Sequence, residues 1–127
     1  MTPALFCQGF AAQRCAVDPI ACVPMVDGWI EHRTGRSPVA ISGQTWADAS
    51  DAEWLLGLRS LPIRMARAMR AAGFAPTTEP QEGDVAAIVA GTIMTCAVRV
   101  GAMWVFCSGN SLCAVADARV LMAWRVA

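Results

Sequence analysis

Lysine and tyrosine are absent from this chain, and histidine occurs once. Its ten cations are therefore all arginine, and ten acidic residues balance them to a formal net charge of zero. A neutral chain lacks the basic excess that drives counterion release, which argues against nucleic-acid binding by bulk charge. Charge of either sign is scarce, at 16% of residues, against about 25% in ordinary soluble domains. A bilayer-spanning helix needs a run of about 18 or more apolar residues. The longest charge-free apolar run, Val85 to Val98, falls short of that, contains Gly91 and ends in alternating β-type residues. The first residues lack a basic start, and Gln8 and Arg14 interrupt their apolar run, so no signal peptide is expected.

What is present is hydrophobic: 56% of 127 residues. That excludes intrinsic disorder, which needs low hydrophobicity and high net charge. The length suits one domain, expected over residues 1–127. So little charge beside so much apolar matter has two explanations. Partners cover part of the surface, or a GC-rich genome favours Ala, Arg, Gly and Val codons.

The six cysteines are Cys7, Cys15, Cys22, Cys96, Cys107 and Cys113. No CxxC pair occurs and there is a single histidine, so neither a zinc site nor any other metal or cofactor is expected. A disulfide framework belongs to a secreted context. The expectation is that most of these thiols are reduced, buried and small.

The periodicity divides the chain into a helical part (about 1–74) and a strand-rich part (about 83–127). Helices are expected over 3–15, with a break at Asp18-Pro19, and over about Ile20 to His32, closed by Thr34-Gly35. Residues 36–44 read as a loop. Two helices follow, one ending near Leu58 and one capped by Ser60 and stopped by Gly73. Arg64, Arg67 and Arg70 share one side of the latter, as a solvated basic face or a contact for an acidic partner surface or a nucleic-acid backbone. After the polar loop 75–83 come four or five short β-runs separated by glycine turns, which predict an antiparallel meander. Helices first and strands later define an α+β fold, with N-terminal helices packed on a C-terminal antiparallel sheet.

One residue stands where a nucleophile belongs. Cys22 lies near the start of the second helix, where the partial positive charge favours thiolate. A nucleophilic thiol also needs a base, normally histidine. The only histidine, His32, is ten residues further along the same helix, about 15 Å away and turned by about 80°. A dyad within that helix is excluded.

Four motifs occur in order: Ala21-Cys22, then Trp29 and Thr34-Gly35, then Glu82-Gly83-Asp84-Val85, and finally Ala123-Trp124-Arg125-Val126. Together, over roughly Cys22 to Val126, they resemble a small family of phage and prophage tail proteins of unknown function. That family is built on the NlpC-type, papain-like cysteine peptidase fold. The resemblance implies that Cys22 occupies the nucleophile position. The base position then falls on Thr95 and the orienting position on or near Cys107. Thr cannot act as a general base near neutral pH. The resemblance thus implies a degenerate peptidase fold, with Cys22, Cys96 and Cys107 near one another.

Function is then expected from surfaces rather than turnover. Trp and Met favour interfaces. Trp29, Trp54 and Trp104 read as core, whereas Trp46 and Trp124 are the interface candidates. The resemblance implies a structural or assembly protein of the distal tail (tail tip or baseplate hub) of a long-tailed phage or gene-transfer particle. Its partners would be other tail proteins, such as hub and distal tail proteins. It would be present in several copies in the virion and made in the host cytoplasm. The alternative is a cell-wall cysteine peptidase acting at DNA entry through Cys22. A third reading is an assembly chaperone absent from finished particles.

Overall fold

A computed structural model describes residues 1–12, 22–43, 51–108 and 111–126, with backbone alone over 51–60 and at 108. Helix α1 (Pro3–Phe10) starts where its local chemistry dictates. The Thr2 side chain accepts a hydrogen bond from the Leu5 N–H, and Pro3 occupies the first turn, where its missing N–H costs nothing. Helix α2 (Cys22–Thr34) runs two residues beyond the expected His32 and is closed by Gly35 at positive φ, as expected. The Asp18-Pro19 break lies outside the described residues.

Two helical expectations fail. Residues 36–44 contain a short helix, α3 (Pro38–Ser42), capped by Ser37 and closed by Gly43. The Asp27 carboxylate of α2 accepts from the Ser37 hydroxyl (2.7 Å) and the Val39 N–H (3.0 Å), so a side chain from elsewhere fixes that turn. The two helices expected around Ser60 are a single one, α4 (Asp51–Ala71), with Pro62 inside it. A proline there removes one helical hydrogen bond. The turns beyond it are held by burial: Leu61, Met65, Ala68, Met69 and Ala72 form one continuous buried stripe.

The strand-rich part is an antiparallel sheet. Its strands are β1 (Pro76–Thr77), β2 (Val85–Ala90), β3 (Ile93–Val100), β4 (Met103–Ser108), β5 (Ser111–Val115) and β6 (Arg119–Trp124). All five main runs lie where the sequence placed them; β1 was unforeseen in the loop 75–83. The order is β1-β6-β2-β3-β4-β5, so the simple meander holds only from β2 to β5. Strand β6 crosses back to pair with β2, setting Val85 opposite Trp124 and Ala86 opposite Ala123. The α+β class therefore stands, with a six-stranded sheet.

Alternation along the strands gives the sheet two buried faces. The helix-side face carries Val85, Ala87, Cys96, Val98, Cys107 and Trp124, packed with Met25, Val26, Trp29, Ile30 and Met65. The opposite face holds a smaller core of Ala86, Ile88, Ala97, Trp104, Phe106 and Ala123. Ala97, Ala86 and Ala123 are register partners across β3, β2 and β6. This row of small side chains leaves room for the rings of Trp104 and Phe106, and the Arg99 guanidinium covers Trp104 at 5.1 Å.

Candidate functional site

Cys22 is the first residue of α2 and is 6% exposed. Its sulfur meets β3. The side chains of Cys96 and Thr95 and the N–H groups of Cys96 and Val23 surround it. The Cys96 thiol, donating toward Cys22, is the main cause that holds the Cys22 pKa down to about 7, from an ordinary 9.0. Burial opposes this, and the Thr95 hydroxyl and the two backbone N–H groups assist it. Cys96 responds the other way: burial, then the neighbouring Cys22, push its thiol well up. The Thr95 hydroxyl also lies 3.2 Å from the Cys96 carbonyl, so its one proton is shared between two acceptors.

The structure thus brings Cys22 together with Thr95 and Cys96, the latter expected near it and the stronger influence on its thiol. Period-two alternation held the signal, because it puts Cys96 with Val98 on the helix-facing side. Cys107 lies in the same core, its sulfur 3.8 Å from the Met25 sulfur. It is disulfide-bonded. Most thiols were expected to be reduced, and among the described cysteines Cys107 is the exception; a disulfide sulfur cannot donate a hydrogen bond to orient a base. Cys7, Cys22 and Cys96 are free and buried, and Cys113 is free and half-buried. Burial pushes the Cys7 thiol up to about 11. Cys15 lies outside the described residues. Among the described residues no His, Cys, Asp and Glu cluster suits a metal ion, and no helix is long and apolar enough to cross a membrane.

His32 is occupied elsewhere. Its ring lies 5.6 Å from Phe6 and 6.1 Å from Trp29, centroid to centroid, at the end of α2 away from Cys22. The site therefore offers two hydrogen-bonded thiols and a hydroxyl, with no imidazole. Such a group can be alkylated, or oxidised to a disulfide; among the described residues around it no imidazole stands as a proton acceptor for acyl transfer.

The sequence motifs converge on a different place. The Asp84 carboxylate, 1% exposed, accepts from the Val126 N–H (3.0 Å) and the Gln81 N–H (2.8 Å). The Arg125 Nε lies 3.0 Å from it, an electrostatic contact whose N–H is not aligned for a hydrogen bond. The same guanidinium donates through Nη2 to the Thr77 hydroxyl and the Glu79 carbonyl. Gly83, at φ +92°, passes close under Trp29, and its carbonyl accepts the indole N–H at 2.7 Å. Trp29, Gly83-Asp84 and Trp124-Arg125-Val126 are thus one structural latch joining α2, β1, β2 and β6.

Of the interface candidates, Trp124 is corrected: it is 2% exposed, closed in by Val85 of β2 on one flank and Pro76 of β1 on the other. Trp46 lies outside the described residues, as does the side chain of Trp54. Trp29 and Trp104 are core, as expected. Arg64 is half-buried, Arg67 and Arg70 are exposed, and none has an ion pair among the described residues. No known family model, curated protein or solved structure matches this chain.

Proposed function

We propose that this chain is a structural or assembly component of the distal tail of a long-tailed phage or gene-transfer particle, built on a degenerate NlpC-type fold. One observation carries the loss of turnover: the nucleophile position faces Cys96 and Thr95 while the only imidazole is packed on Phe6 and Trp29. The ordered motifs support the family reading. Exposed Ile63 and Met122 support a role in contacts. In this reading the chain binds larger tail proteins in several copies within the virion. Mass spectrometry of purified particles tests it. The expected result is the chain at fixed stoichiometry with hub proteins; a chain found free in lysate and absent from tails overturns it, in favour of a chaperone.

A second reading, a cell-wall cysteine peptidase, has one observation in its favour: a Cys22 thiol held at about 7 at the first residue of a helix. It requires a base supplied by another protein. Cys22→Ala particles with full infectivity, together with a wild type that leaves muropeptides intact, exclude it.

A further inference from the structure

Helix α4 and strand β6 leave an open groove of about 260 Å³ between them, lined by Pro62, Ile63, Ala66, Arg67, Arg70 and Met122. Ile63 is 57% and Met122 39% exposed. A second depression of about 280 Å³ adjoins it along β1 and shares Met122. Strand β1 covers only Ala123 and Trp124 of β6, so the apolar surface continues past its end. Arg67 and Arg70 are exposed, three residues apart on one side of α4, and without ion pairs among the described residues.

We propose that this groove docks an acidic, apolar segment of a partner protein, whose apolar side chains seat on Ile63, Ala66 and Met122 and whose carboxylates pair with Arg67 and Arg70. Charge selects this occupant. A second copy paired about a two-fold axis brings the same patch from each chain together, so arginine faces arginine. A nucleic-acid backbone calls for a polar, strongly basic track, whereas here two cations border an apolar floor in a chain of zero net charge. Two guanidiniums beside a hydrophobic seat fit carboxylates flanking a buried aliphatic side chain.

The proposal rests on the assembly reading and names the chemistry of its partner. The test is a displayed random-peptide selection on the whole chain, counter-selected against Ile63→Asp. The expected winners carry apolar residues flanked by Asp or Glu, and bind Arg67→Glu/Arg70→Glu at least about tenfold more weakly. Unchanged melting of these surface variants shows that folding is intact. Winners without acidic excess, winners indifferent to the charge reversal, or no winners at all overturn the proposal. So does a dimer in sedimentation that Ile63→Asp dissolves, or binding confined to anionic vesicles or RNA. Particles that still incorporate Arg67→Glu/Arg70→Glu overturn this groove and leave the assembly reading standing. A chain absent from particles that binds acidic peptides through these arginines does the reverse.

Discussion

Two buried polar sites among the described residues are built in opposite ways. Around Asp84 the carboxylate meets two N–H groups and a guanidinium that is itself anchored to β1. Around Cys22 the partners are weak: a second thiol, a hydroxyl and two N–H groups. The first site is closed and its carboxylate is satisfied, although the buried Arg125 Nε–H beside it has no aligned acceptor, while the second retains a group that ionises near neutrality. The residues that make the resemblance specific, Trp29, Gly83-Asp84 and Trp124-Arg125-Val126, belong to the first. They report on how the strands are tied together.

The comparison breaks most sharply at Asp84. Asp84→Ala strips two backbone N–H groups and a cation of their partner and is expected to cost about 3–5 kcal/mol, read by chemical or thermal unfolding. A loss below about 1 kcal/mol would show that water replaces the carboxylate. Trp29→Phe keeps much of the ring but orphans the Gly83 carbonyl, and a loss of about 1–3 kcal/mol is expected on the same scale.

At the thiol site the effects are smaller and depend on pH. The Cys22 pKa is depressed in the folded chain, so its stabilisation is complete above the unfolded value of 9.0 and is lost as pH falls through about 7. The stability advantage of wild type over Cys22→Ser should therefore grow from pH 6 to pH 9, by up to about 2 kcal/mol. A flat or inverted difference sinks this assignment. Cys96→Ala removes the main donor to Cys22, so the midpoint of Cys22 alkylation against pH should move up from about 7. An unmoved midpoint would assign the depression to Thr95 and the backbone instead.

Much of the sheet was legible because its punctuation is local. Gly91 and Gly101 sit at positive φ between β2, β3 and β4, and each glycine turn fixes the ends of the strands beside it. What escaped depends on residues distant in sequence. The α3 turn is set by Asp27, the short β1 by Trp124 and Arg125, and the continuity of α4 through Pro62 by the buried stripe beyond it. For the site, the helix start at Cys22 and its approach to Thr95 were legible. The nearness of Cys96 was implied by the resemblance, but its role as the main donor to Cys22 needed the strand's facing, and the Cys107 disulfide needed a redox context that spacing does not encode. Trp124 was misjudged because its flanks are closed by two strands, one of them unforeseen.

The position of β6 between β1 and β2 has a kinetic side. The hairpins β2–β3, β3–β4 and β4–β5 join neighbours in sequence and can form within microseconds. Strand β6 must instead return past all of them before Trp124 meets Val85, a non-local closure of the kind that slows folding. If the Asp84–Arg125 latch closes only after that step, Asp84→Ala is expected to speed unfolding and leave folding nearly unchanged, which the two arms of a chevron plot would show. In that case the latch sets how long the folded chain survives rather than how quickly it is made.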